Sequence, residues 1–167
     1  MQADYITSLG TLVLDHRLRR ILDHLLEGQT EVYVREGIAF EPRWTSTFLL
    51  LEREGPLGVT QIAKRLRYTH PGIIKFVSGM KEAGLVEELD DPGDERRRLI
   101  QLTPRARRLA PRLHRIWDAL GDAQADLFGQ SGCAPLKLLA RLDAALERQT
   151  LADRVAMASS AASIARS

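Results

Sequence analysis

A mainly α-helical chain carrying one short two-stranded β hairpin is the fold class that these 167 residues predict. Three observations lead there. Apolar residues recur at spacings of three and four through most of the chain, which is the helical period. Half-alternating runs occur only on either side of Asp90-Asp91-Pro92-Gly93-Asp94, a segment dense in turn-forming residues. Gly37, Gly84, Pro42, Pro71 and Pro104 punctuate the helical runs where glycine ends helices and proline starts them. With 44% hydrophobic residues and no apolar run long enough for a bilayer, one core is expected. The expected layout is a single domain over 1–150 and a tail over 151–167.

Ile6 to Arg35 reads as one long helix whose apolar positions, among them Leu9, Leu12, Leu18, Ile21, Leu22 and Leu25, cover more than one stripe. A helix apolar on more than one side needs a second surface to cover it, so a dimer is expected. His16 and His24 fall on about the same face with no third ligand type nearby, and they read as interface or surface residues rather than metal ligands. Gly37 ends the helix and Pro42 opens another, to Glu54. Phe40, Trp44 and Phe48 recur every four residues there, a spacing that suits core packing or one wall of a small-molecule cavity. Gly55-Pro56-Leu57-Gly58 reads as a connector.

Val59 to Leu66 has helical spacing at Val59, Ile62, Ala63 and Leu66, with Thr60 as the expected N-cap. Arg67-Tyr68 forms the turn. Thr69 then caps a second helix with Pro71 in its first turn, and Gly84 ends it. Ile73, Phe76, Val77 and Met80 lie on its apolar face, while His70, Gly72, Ile74, Lys75, Ser78 and Lys81 lie on or near the other. Leu85–Leu89 and Arg98–Thr103 are the hairpin strands. Residues 42–103 therefore read as a helix-turn-helix with a two-stranded wing.

The net charge of +2 is too small to announce a nucleic-acid partner, so its placement matters. From Lys64 to Arg108 there are eleven Lys and Arg against seven Asp and Glu, and Arg96, Arg97 and Arg98 stand together at the hairpin. That gives a local cationic edge suited to phosphate.

Pro104 starts a helix reaching about Phe128, with Arg105, Arg107, Arg108, Arg112 and Arg115 on its first half. Residues 129–135 read as a loop, and Leu136 to Leu146 returns to helix. Residues 6–36 and 104–148 together make an expected helical dimerisation layer. Ala158 to Ser167, rich in Ala and Ser, reads as a frayed tail or linker. The lone Cys133 has no partner for an intrachain disulfide, consistent with a reducing compartment. The expected location is the cytoplasm.

The order of elements, the run Val59-Thr-Gln-Ile-Ala-Lys-Arg-Leu66, the Thr69-His-Pro71 opening and the wing Asp91-Pro-Gly-Asp-Glu-Arg96 leading to Leu99-Ile-Gln-Leu-Thr103 resemble the MarR family of bacterial winged-helix regulators. The resemblance covers about residues 6 to 148. It implies a homodimer on double-stranded DNA, with recognition helices in the major groove and wings in the minor groove. Asp94 and Arg96 match the family's Asp-x-Arg wing pattern, implying that Arg96 enters the minor groove while Asp94 orients it. Gly72 and Ile74 depart from the Ser or Thr common at those positions, and Glu95 departs from an Arg. The C-terminal segment also resembles the junction of longer chains in which an acetyltransferase domain follows.

The residues expected at DNA are Lys64, Arg65 and Arg67 on phosphates, Thr69, His70, Pro71, Gly72, Ile74, Lys75 and Ser78 along the reading helix, and Asp94, Arg96, Arg97 and Arg98 on the wing. The resemblance also implies a small aromatic or anionic effector, for which Phe40, Arg43, Trp44, Phe48 and Trp117 are the candidate residues. No catalytic spacing set, phosphate loop or metal-ligand cluster stands out, so neither an enzyme nor a cofactor is expected. The competing reading is a winged-helix protein-docking module, which the nonpolar Gly72 and Ile74 would suit.

Overall fold

Gly10 interrupts the first helical run almost as soon as it begins. Its φ of +66° lies in the left-handed region, which a right-handed helix cannot continue through. The expected single helix from Ile6 is therefore divided into α1 (Tyr5–Ser8), a 3₁₀ turn over Gly10–Val13, and α2 (Leu14–Arg35). The computed structural model describes residues 5–91, 93–132 and 134–164; Pro92 and Cys133 lie outside that set, as do the side chains of 94–97 and 161–164.

Gly37 (φ +62°) ends α2 in a doubly bonded cap, its N–H on Val34 O and that of Ile38 on Tyr33 O. A 3₁₀ turn at Pro42–Trp44 leads into α3 (Thr45–Glu54). The expected connector contains a two-residue strand, β1 (Leu57–Gly58). It precedes α4 (Val59–Leu66), α5 (His70–Glu82), β2 (Val86–Asp91), β3 (Asp94–Leu102) and α6 (Pro104–Gln130). The sheet order is β1-β3-β2, both pairings antiparallel, with Leu57 opposite Ile100 and Val86 opposite Leu102. β1 was not visible as a strand in the sequence because two residues carry no alternation. Its pairing with β3 ties the wing to the start of α4.

Thr103 joins the wing to the helix that follows. Its hydroxyl accepts from Ala106 N (3.1 Å) as the cap of α6 and donates to Gly84 O (2.8 Å), the residue that ends α5. α6 continues through Pro111, an exposed position that removes one intrahelical N–H without stopping the helix.

The described residues divide into two compact units between Trp117 and Asp118, inside α6. In the first, Tyr33, Phe48, Ile62, Ile73, Met80, Leu85 and Leu113 are all essentially inaccessible and form the core. Each contributes about 1.5–3 kcal/mol by leaving water. The second unit contains the rest of α6, α7 (Pro135–Arg148) and α8 (Leu151–Ile164). The expected frayed tail is thus largely helix. Thr150 and Asp153 supply the reason: Asp153 N donates to Thr150 Oγ1 and Thr150 N to Asp153 Oδ2, both at 3.2 Å, a reciprocal capping box ahead of an alanine-rich run.

Candidate nucleic-acid interface

α4 and α5 are set against each other by their caps. The N-cap of α4 is Gly58 rather than the expected Thr60, because Gln61 folds back to accept from Gly58 N at 2.8 Å. α4 closes on Arg67, whose φ of +54° makes it the one non-glycine residue in the left-handed region among those described. Tyr68 N then bonds Ala63 O, completing the helix end in the manner usual for glycine. Thr69 caps α5 as expected, accepting from Gly72 N at 3.3 Å.

α5 presents two unlike sides. Ile73, Val77 and Met80 are buried and Phe76 is half-buried against Tyr68, their rings edge-on at 5.5 Å. On the other side His70, Pro71, Lys75 and Ser78 are exposed and Ile74 keeps 49% of its surface accessible. Gly72 is half-buried under the Thr69 hydroxyl.

The charged residues separate into engaged and open ones. Arg65 pairs with Glu54 at 3.1 Å, Lys81 with Glu88 at 2.9 Å, and Arg98 with Asp90 across the wing. Lys64 and Lys75 are exposed and make no ion pair or hydrogen bond among the described residues, and the ring of His70, also exposed, makes none either. A cation with no protein partner keeps its full charge for phosphate, whereas Arg65 and Arg98 must first give up a carboxylate. The roles expected of the Asp94, Arg96 and Arg97 side chains lie outside the described residues, although the backbone there is part of β3.

The candidate effector residues part company. Phe40, Trp44 and Phe48 are buried, and with Tyr33 and the half-buried Trp117 they form an aromatic cluster: Phe40 lies 5.7 Å from Trp44, 5.9 Å from Phe48 and 5.9 Å from Trp117. Trp117 Nε1 donates to Tyr33 Oη at 2.8 Å. These rings pack against one another as core, and Trp44 also lines a recess. Arg43 is exposed and turns instead into a recess of about 270 Å³ that it shares with Trp44, Lys75, Ser78 and Glu82. Sequence reasoning did not place Arg43 beside the open side of α5. The available signal was Gly79, the small residue that lets α5 approach the Pro42–Trp44 turn.

Residues 40–97 match the MarR family model. Over those residues the winged helix is similar to the MarR family. A probable transcriptional regulator from Pseudomonas aeruginosa is similar at 26% identity over 77% of this chain and 98% of its own, with a TM-score of 0.58. The repressor CouR bound to a 23-mer DNA duplex shares the fold at 23% identity, covering 81% of this chain and 96% of its own, with a TM-score of 0.66. PcaV from Streptomyces coelicolor, solved with its natural ligand, does so at 21% identity, covering 87% and 99%, with a TM-score of 0.63. No curated protein matches the chain. A helix-turn-helix accounts for the split nature of α5, since one side of its second helix is core and the other faces out.

No helix among the described residues is long and apolar enough to cross a membrane. His16 and His24 each lie near a carboxylate of their own helix, Asp15 at 4.0 Å and Glu27 at 3.7 Å.

Proposed function

We propose that this chain is a cytoplasmic, homodimeric transcriptional regulator that binds a pseudo-palindromic duplex through the open side of α5. The observation that carries the reading is the division of α5: a helix anchored by Ile73, Val77 and Met80, capped by Thr69, with His70, Ile74, Lys75 and Ser78 turned outward. Lys75 and His70 can reach base edges or phosphates, and Ile74 can cover a thymine methyl. Lys64 on α4 and Arg67 just past its end then fix register on the phosphates, and Arg96 enters the minor groove beside the wing.

Dimerisation is supported by the apolar surface left open on α2, where Leu14, Leu18, Ile21 and Leu22 each keep about half their area, and on α7 at Leu138, Leu139, Leu142 and Leu146. A soluble chain covers such stripes with a partner. A small aromatic or anionic effector would meet Arg43 and Trp44 in the recess shared with Lys75, where occupancy competes with duplex for the same lysine. The exposed Ile74 favours one second reading, a protein-docking surface without sequence-specific DNA binding.

Selection of bound duplexes from a random pool tests the proposal, followed by titration of the selected site. Enrichment of a two-fold symmetric sequence, with Arg96→Ala weakening its binding roughly tenfold or more while the dimer persists, is the expected result. A docking module would enrich nothing and show no salt-dependent shift of random duplex.

A further inference from the structure

Arg105, Arg108 and Arg112 follow one another at spacings of three and four on α6, so their guanidinium groups share one side of the helix. They surround a cavity of about 290 Å³ whose remaining lining includes Ile38, which is buried, and Leu109, which is half-buried. Two of the three arginines are held in place. Arg105 Nη1 donates to Ala83 O at 3.1 Å, at the end of α5. Arg112 Nη2 donates to the Glu36 backbone carbonyl and to Glu36 Oε2 (2.8 Å), at the end of α2.

Capping the last carbonyls of two helices explains Arg105 and Arg112 without any ligand. It does not explain Arg108. Arg108 stands about one turn from each, is exposed, and makes no ion pair or hydrogen bond among the described residues. Three like charges on one cavity repel, and Glu36 neutralises only one of them. The arrangement retains a formal charge of +2 over an apolar floor. Each guanidinium carries five N–H donors in a planar fork, so Arg105 and Arg112 keep donors beyond those they use on the protein. The cavity shares no residue with the aromatic cluster or with the open side of α5.

We propose that this cavity binds a small organic dianion, a phosphate monoester or a dicarboxylate, with Arg108 as its principal contact, flanked by Arg105 and Arg112. Two negative charges match the residual charge, the two anion chemistries match the fork, and Ile38 with Leu109 receives the carbon skeleton. Because Arg105 also holds Ala83 O, occupancy draws on the group that tethers the end of α5. That link to gene regulation rests on the reading of DNA proposed above; the binding site itself does not.

The experiment is calorimetric titration of the full chain, without DNA, by phenyl phosphate and by succinate at an ionic strength held constant with potassium chloride. Saturable binding is expected, with Arg108→Gln roughly tenfold weaker at an unchanged melting temperature, as loss of a charge-assisted hydrogen bond implies. Arg108→Lys, which keeps the charge but loses the fork, should fall between. Amide resonances of Ala83 and Gly84 should move on saturation. Binding of only one probe assigns the anion class. No heat beyond the chloride control with either probe, or Arg108→Gln binding as tightly as the unaltered chain, overturns the site.

Discussion

A Cβ placed on Gly79 would stand 2.8 Å from Cζ2 of Trp44, so the absence of a side chain on α5 is what admits the indole. The contact fixes where α5 sits relative to the turn that carries Arg43, and with it the recess between them.

Gly79→Ala sets two effects against each other. Alanine gains up to about 1 kcal/mol of helix propensity, while forcing a methyl into packed core costs about 1–3 kcal/mol. The contact is closer than real Cβ contacts, and Trp44 is buried with little room to move, so the clash should win by about 1 kcal/mol. Gly121→Ala is the control, because a Cβ there meets nothing within 4 Å and should stabilise. Urea unfolding of both variants checks the opposite signs.

Thr47 is fully buried in α3 and its Oγ1 has no hydrogen-bond partner among the described residues. Replacing it with valine keeps the branched shape and removes an unsatisfied hydroxyl, so Thr47→Val should gain about 1 kcal/mol. Thr47→Ser retains the hydroxyl and deletes a buried methyl, and should lose about 1 kcal/mol. Equal midpoints for the two in denaturant would mean that the hydroxyl is satisfied in solution.

Arg67 occupies a left-handed helix end at φ +54° that glycine fills more easily. Relief of that strain, partly offset by the greater freedom of an unfolded glycine, predicts that Arg67→Gly stabilises the fold by about 0.5–1 kcal/mol. The same change removes a charge that the proposed function sets against the duplex, so affinity for the selected site should fall roughly threefold to tenfold. Stability and binding moving in opposite directions, by thermal melting and gel shift, would mark Arg67 as kept for its charge.

The helix-turn-helix was legible because its signals are local and agree. Thr69 and Gly84 bracket α5, and the three-four spacing of Ile73, Val77 and Met80 alone separates its two sides. What escaped depends on contacts distant in sequence or on backbone angles. β1 exists only because β3 pairs with it, and the break at Gly10 is a positive φ that composition does not disclose. The capping of α4 by Gly58 was open to inspection through Gln61, as was the Thr150–Asp153 box ahead of α8. The aromatic stripe was ambiguous by nature, since the spacing of Phe40, Trp44 and Phe48 is the same for core and for cavity wall. The ring contacts with Tyr33 and Trp117, which show the packing, join residues distant in sequence.

The claim that the open side of α5 meets the duplex is tested most directly by fluorescence anisotropy on the selected site across a salt series, comparing the unaltered chain with Lys75→Gln and Lys81→Gln. Lys75 has no ion-pair partner among the described residues, whereas Lys81 is held by Glu88 at 2.9 Å. Lys75→Gln should weaken binding and lower the log–log salt slope by about one, while Lys81→Gln leaves both unchanged. Binding by Lys75→Gln with the same affinity and slope as the unaltered chain would contradict that claim.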